Sequence, residues 1–316
     1  MHATTVVTLP AEDWLRDLQP LPGGIEARVW DVESPPAQAL GADADRVGLV
    51  VWPYMSQPAA ARSLGDLPAL HTVQTLTAGY DDLLGVVPGG VRIANAAGVH
   101  EASTAELALG LAIASLRGID DAVRNAQEGR WVHRHRPSLA DRRVLVLGLG
   151  PVGSGIVERF APFEVSLTRV ASRPRDDAHG HVHGVDELPS LLPEHDVVVL
   201  ATSLTDATRG LVDAAFLAAM PDGALLVNVS RGPVVRTDAL LAELQRGRLR
   251  AALDVVDPEP LPPGHPLWTA PGVIITPHLG GDTSAMRPRA VALLRRQLGR
   301  LAAGEEPANI VVGGPA

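Results

Sequence analysis

Hydrophobic and polar positions alternate along this chain in two successive rhythms. Between residues 5 and 95, short β-rich runs (VVTL, EARVWD, RVGLVVW, HTVQTLT, VRIAN) are separated by segments that are helical in pattern or punctuated by proline and glycine. Such alternation predicts a parallel α/β unit. Between Arg143 and Thr276 the rhythm strengthens into RVLVLG, VSLTRVA, DVVVLA, ALLVNVS, RAALDV and VIIT, most of them separated by helical patterns such as residues 213 to 220 and 237 to 246. Near-continuous Val/Leu runs predict strands buried on both faces of a sheet.

The connecting segments set the expected domain limits. Ala105 to Leu116 is the longest apolar stretch, too short for a membrane span, and it starts beside Ser103 and Glu106, a capping pair. A buried helix from about Ser103 to Arg117 is expected, then a second helical stretch running to Gly129-Arg130-Trp131. Arg134, Arg136, Arg142 and Arg143 read as a solvated connector. Residues 283 to 302 form an amphipathic Arg/Leu/Ala pattern with nothing after it that could make another sheet. If that helix packs back on the first domain, residues 1–98 and 286–316 form one discontinuous domain and residues 99–285 the other. His179, His181 and His183 alternate, but their segment GHVHG reads as an exposed connection. They are expected to be surface histidines, and no metal site is predicted.

Composition narrows the chemistry. A chain of 316 residues with 46% hydrophobic content suffices for two packed domains. Its formal charge of −9 argues against a nucleic-acid surface. The start, MHATTVVTLP, lacks the charged region and apolar core of a leader, so cytoplasmic residence without membrane association is expected. There is no cysteine, and all 27 basic residues are arginine. Thiolate nucleophiles, Schiff-base lysines and a P-loop lysine are thereby excluded, leaving Asp, Glu, His, Ser, Tyr and Arg as possible actors.

One of the stronger runs carries a cofactor signature. RVLVLGLGPVGSGI sets Gly148, Gly150 and Gly153 in G-x-G-x-x-G spacing directly after an apolar strand and before a helical pattern that opens with Pro151 and Val152. Such glycines allow a tight turn, close approach of a pyrophosphate and close packing of the helix, so a dinucleotide site is predicted. About 20 residues on, where an NAD-selective site carries an acid, the chain reads Val170-Ala171-Ser172-Arg173-Pro174-Arg175. Ser172, Arg173 and Arg175 suit a 2′-phosphate, which favours NADP(H), with NAD(H) as the alternative.

Three further segments, VNVSRGPVVRTDAL, LDVVDPEP and TPHLGGDT, end strands in the second region. With GLGPVG and the earlier QTLTAGYDDL they resemble, in order and spacing, the D-isomer-specific 2-hydroxyacid dehydrogenase family over nearly the whole chain. The resemblance implies a flavodoxin-like and a dinucleotide-binding domain, both Rossmann-like, with the active site in the cleft between them. It also implies a triad of Arg231, Glu259 and His278. The chemistry of keto-acid reduction wants the same residue types: an imidazole to deliver a proton to the carbonyl oxygen, a carboxylate to orient it, and a guanidinium to grip the substrate carboxylate. The resemblance further places Thr77, Ala78 and Gly79 as amide donors to that carboxylate and Thr104 and Asp254 near the cofactor. Trp52, Pro53, Tyr54 and Met55 follow a buried strand and are candidates for shaping the substrate pocket. Expected cofactor contacts also include Thr202, Thr208, Val229, Ser230, His278 and Gly280.

The stretch PFEV…SRPR is similar to glyoxylate/hydroxypyruvate reductases. A phosphoglycerate dehydrogenase would need a cationic pocket, and the loop from Trp52 to Gln57 offers no arginine. The remaining alternative, a non-catalytic cofactor-sensing corepressor, is disfavoured by the intact triad. The resemblance also implies a homodimer with Ala105 to Leu116 at the contact.

Overall fold

The computed structural model of the chain describes residues 4–56 and 58–313; Gln57, the end of the arginine-free loop, lies outside them. The residues divide into two compact units, one comprising Met1–His100 and Thr283–Ala316, the other Glu101–Asp282.

The first unit begins with β1 (Thr5–Leu9), α1 (Glu12–Leu18), β2 (Ile25–Val29), α2 (Pro36–Leu40), β3 (Val47–Trp52), β4 (Thr72–Thr75) and β5 (Arg92–Ala94). The strands pair in parallel in the order β2-β1-β3-β4-β5, the flavodoxin-like arrangement. Every residue of β3 is buried, as its unbroken apolar run requires. Trp52 is the last of them and packs with Trp30, Leu64 and Val50, so it belongs to the core and not to a pocket.

The second unit opens with α3 (Glu101–Arg117) and α4 (Ile119–Gln127), then β6 (Arg143–Leu147), α5 (Pro151–Phe160), β7 (Ser166–Ala171), β8 (Arg175–Asp177), β9 (Gly180–Gly184) and α6 (Leu188–Leu191). It continues with β10 (Val197–Leu200), α7 (Ala214–Ala219), β11 (Leu225–Asn228), α8 (Thr237–Gln245), β12 (Arg250–Leu253) and β13 (Val273–Ile275). Its sheet runs β13-β12-β11-β10-β6-β7-β9-β8, parallel except for the β8–β9 hairpin. The order reverses between β6 and β10, and at such a switch point an open α/β sheet leaves a crevice beyond its carboxyl ends.

Two expectations, the Ser103 cap and the GHVHG connection, are corrected here. The helix starts at Glu101, so Ser103 lies inside its first turn and is buried instead of capping it. One face of α3, with Ala105, Ala108, Leu111, Ala112 and Leu116, packs into the core beside Val144, Val146, Ile156 and Phe160, while Glu106 and Gly110 on its other side are exposed. GHVHG is strand β9, paired to β7 through His183 and Gly184, not a connection between elements.

The chain then returns to the first unit with α9 (Met286–Ala302) and β14 (Ile310–Val312). The Arg287 guanidinium lies 3.6 Å from the Trp14 ring centroid and pairs with Asp13 and Asp17, fixing α9 on α1. After this helix the sequence suggested no strand. β14 nonetheless adds to the sheet, antiparallel to β5.

Candidate active site

The second unit's site follows from strand register. Leu147, Leu200, Asn228, Leu253 and Ile275 pair across β6, β10, β11, β12 and β13 as one row. Gly148, Thr202, Arg231, Asp254 and His278 all fall within three residues beyond that row, so strand register alone gathers them at one edge.

Gly148 has φ +99°, and a Cβ there would lie 2.6 Å from the Ala201 carbonyl oxygen. A Cβ on Gly153 would lie 1.8 Å from the Gly148 oxygen. Gly148 is therefore demanded by the close approach of the turn to the end of β10, and Gly153 by packing of the first turn of α5 against that same turn. Gly150 differs: it sits at the N-cap of α5, with Pro151 opening the helix and Val152 next, and nothing lies within 4 Å of a Cβ placed on it. The backbone there is open to close approach by a ligand, at a helix N-terminus that favours anions. Nearby, the Thr202 hydroxyl is buried with no hydrogen-bond partner among the described residues. A buried hydroxyl is ordinarily bonded, so its ligand-side partner is the missing one. These two observations fit a dinucleotide.

Ser172 and Arg173 follow β7, Arg175 begins β8, and all three are exposed. Neither guanidinium makes an ion pair or hydrogen bond within the protein among the described residues, leaving both available to an anion. Thr208 has a different occupation. Its hydroxyl bonds the Ser203 carbonyl at 2.7 Å and accepts the Thr205 amide at 2.8 Å, bracing the turn after β10. Val229 and Ser230 are buried, and Ser230 donates from both its amide and its hydroxyl to the Asn228 side chain.

Asn228 also donates to the Arg231 carbonyl at 3.1 Å, holding that loop. A Cβ on the next residue, Gly232, would sit 1.8 Å from the Val256 carbonyl oxygen. The Arg231 loop thus lies directly against the loop that carries Glu259. Glu259 reaches His278, with Oε1 and Nδ1 2.6 Å apart. The hydrogen bond to Glu259 raises the His278 pKa above its ordinary value, outweighing burial and the opposing Arg231 charge. Burial alone would push Glu259 up, but the His278 hydrogen bond and charge, the Val256 amide and Arg231 together hold it below the usual carboxylate range. Since Nδ1 is committed to Glu259, Nε2 is the nitrogen left to exchange a proton with a ligand.

His278 stands at φ +55°, in the left-handed region. Its amide bonds the Asp254 carbonyl. The Asp254 carboxylate, only 3% exposed, accepts the Thr276 hydroxyl and the amides of Leu279 and Gly280. Asp254 thus holds the histidine loop. Gly280 leaves room beside it, because a Cβ there would meet Asp254 at 3.0 Å and Thr104 at 3.3 Å.

In the first unit, Thr77, Ala78 and Gly79 form a loop whose carbonyls are all bonded: Thr77 O by the Ala96 amide and the Thr75 hydroxyl, Ala78 O by Asn95, Gly79 O by the Thr77 hydroxyl. Among the described residues no acceptor takes the three amides. A loop with satisfied carbonyls and open amides suits an anion. Tyr54 stacks on His100 with centroids 5.8 Å apart, and His100 Nε2 meets the Leu76 carbonyl at 2.7 Å, next to that loop. Sequence reasoning missed Asn95, His100 and Gly232. Only Gly232, beside Arg231, stood next to a residue already singled out.

Comparison with known proteins agrees with this geometry. The profile of the D-isomer specific 2-hydroxyacid dehydrogenase NAD binding domain matches residues 109–280. The glyoxylate reductase/hydroxypyruvate reductase of Homo sapiens is 35% identical over 230 residues, 69% of this chain and 70% of that protein. The D-3-phosphoglycerate dehydrogenase of Methanocaldococcus jannaschii is 32% identical over 70% of this chain but only 43% of its own length. A D-isomer specific 2-hydroxyacid dehydrogenase from Xanthobacter autotrophicus Py2, solved with NADPH and MES, superposes with a TM-score of 0.82 at 30% identity, covering 98% of each chain. Among the described residues no single helix is long and apolar enough to cross a membrane. The chain belongs to the D-isomer specific 2-hydroxyacid dehydrogenase family and is a nicotinamide-dependent oxidoreductase.

Proposed function

We propose that this enzyme is a cytoplasmic, NADPH-preferring reductase of small 2-keto acids such as glyoxylate or hydroxypyruvate. The observation that carries the reading is the 2.6 Å contact between His278 and Glu259 at the carboxyl edge of a dinucleotide-type sheet. His278 Nε2 donates the proton that the carbonyl oxygen acquires as the keto group becomes a hydroxyl. Glu259 keeps the imidazole oriented and protonated. Arg231 grips the substrate carboxylate and polarises the carbonyl, and in the first unit the open amides of Thr77, Ala78 and Gly79 form a loop suited to a carboxylate. Bound reduced nicotinamide would supply the hydride. Gly150 and the first turn of α5 hold its pyrophosphate, Thr202 bonds within the site, and Ser172, Arg173 and Arg175 take the 2′-phosphate.

Support for NADPH comes from the two unpaired guanidiniums. Support for a small substrate comes from relatives named as glyoxylate reductases and from the absence of arginine between Trp52 and Gln57. Purified protein assayed with NADPH or NADH against glyoxylate, hydroxypyruvate and 3-phosphohydroxypyruvate tests all three points. The expected result is turnover highest with NADPH and an unphosphorylated substrate. A preference for the phosphorylated one would move the enzyme to the phosphoglycerate class, and no turnover with any 2-keto acid would overturn the reading.

We also propose a homodimer, with its contact on the outer side of α3 and extending over α4. No residue of α4 is buried, and the segment after it holds Trp131, 97% exposed. With Ile119, Val123 and Val132 also exposed, this apolar patch suits a second copy of the chain. Light scattering should give a dimer, and Val123→Glu a monomer.

A further inference from the structure

We propose that His181, His183 and Glu187 bind a borderline divalent transition-metal ion, of which Zn2+ is the representative, at the edge of the eight-stranded sheet. Each offers one ligand atom, and these atoms lie within 4.8 Å of one another; among the described residues no other set of His, Cys, Asp or Glu converges in this way. The strand produces the arrangement. His181 and His183 alternate on β9 and share a face, while Val182 between them is fully buried on the other. Their rings stand edge to face with centroids 4.6 Å apart.

Glu187 comes back onto the strand from the turn that follows it. Its Oε1 accepts the Gly184 amide at 2.8 Å, which aims Oε2 at His183 Nδ1, 2.7 Å away. The imidazole nitrogen and carboxylate oxygen that now share a proton become two ligand atoms when a cation replaces it, and a ring nitrogen of His181 is the third. Ligands in a tetrahedral shell with bonds of about 2.0–2.1 Å stand about 3.4 Å apart, within reach of rotations of these partly exposed side chains. Asp176, with Oδ1 2.9 Å from His181 Nδ1, orients that ring, as carboxylates do behind metal-bound histidines. Two imidazoles and one carboxylate select zinc-like ions over Mg2+ or Ca2+, which prefer all-oxygen shells.

The site lies close to the cofactor edge. His183 pairs with Val170, and Val170 with Leu147, so it occupies the cross-strand row of Leu147, one residue before Gly148. Pro174 packs within 3.0 Å of the Cβ position of Gly184, tying the segment that carries Arg173 to the metal-binding strand.

The test is calorimetric titration of tag-free, chelator-treated protein with Zn2+, with Mg2+ as a competitor and circular dichroism confirming the fold of every variant. One equivalent of Zn2+ should bind, undisturbed by Mg2+. Binding should be lost in folded His181→Ala and His183→Ala, retained in His133→Ala/His135→Ala, and weakened about 10-fold in Asp176→Asn. No stoichiometric uptake, uptake undiminished in folded His181→Ala, or uptake lost only with His133 and His135 would each overturn the proposal.

Discussion

The His278 amide donates to the Asp254 carbonyl at 2.9 Å while the Asp254 carboxylate accepts the amides of Leu279 and Gly280, so one buried residue fixes the backbone on both sides of the histidine. That clamp offsets the cost of a left-handed non-glycine residue, about 1–2 kcal/mol. Asp254→Ala should lower stability by about 3 kcal/mol, because it strands the buried Gly280 amide, at about 1–3 kcal/mol, and removes the part-buried bonds of the Thr276 hydroxyl and the Leu279 amide. It should also lower kcat more than it changes the KM for NADPH. Denaturant unfolding with steady-state kinetics checks both, and unchanged kcat would show that the loop keeps its shape unaided.

The Glu259 pair sets a pH dependence with a definite sign. Reduction needs protonated His278, so the rate should stay level at low pH and fall as pH rises through a pKa lifted above the ordinary imidazole value. In Glu259→Gln the fall should move to lower pH. The same coupling stabilises the fold: the histidine's contribution is complete below its unfolded pKa, about 6.5, and disappears as pH rises through the raised value. The carboxylate's contribution is complete above about 4.3 and disappears as pH falls through the depressed value. Profiles of kcat/KM for the two proteins decide the point, and an alkaline limb unmoved by the substitution would remove Glu259 from this role.

His278→Ala should lower kcat by about 10²–10⁴, the range for loss of a general acid, while NADPH still binds. Fluorescence titration of the cofactor separates this from unfolding. Near-wild-type turnover would defeat the assignment.

The three glycines of the cofactor turn should fail differently. Gly153→Ala drives a methyl into the Gly148 carbonyl and should prevent folding or severely destabilise the protein. Gly150→Ala meets no protein atom and should fold with wild-type stability, yet its methyl intrudes where the pyrophosphate approaches and should raise the KM for NADPH. Normal cofactor binding in Gly150→Ala would place the phosphates elsewhere.

Arg173→Ala and Arg175→Ala should each raise the KM for NADPH about 10-fold, near the lower end of a charge-assisted hydrogen bond's worth, and leave that for NADH almost unchanged. Equal effects on the two cofactors would mean that these guanidiniums do not distinguish them.

What the sequence disclosed and what it hid divide along a physical line. Strands such as β3, β6 and β10 are continuous apolar runs buried on both sides, and burial writes itself into composition. β8 reads Arg-Asp-Asp because it is the edge strand, where one flank faces water and the apolar signal vanishes, and β9 beside it reads Gly-His-Val-His-Gly, with only Val182 and Gly184 buried. β14 has three residues, too few for periodicity. The cofactor glycines stood out by motif and spacing, and the triad by the family resemblance. Asn95, His100 and Gly232 were not, since each acts through a contact with a segment distant in sequence or through backbone shape. Asp254 was visible as a residue near the cofactor, but its hold on residues 276 to 280 depends on where β12 and β13 end.

The hairpin edge also bears on how the protein behaves in a crowded solution. The eight-stranded sheet terminates in Arg175, Asp176 and Asp177, three exposed residues and no more. A strand that short and that charged is a poor template for another chain's backbone. That end of the sheet is therefore protected against recruiting neighbouring chains into aggregates.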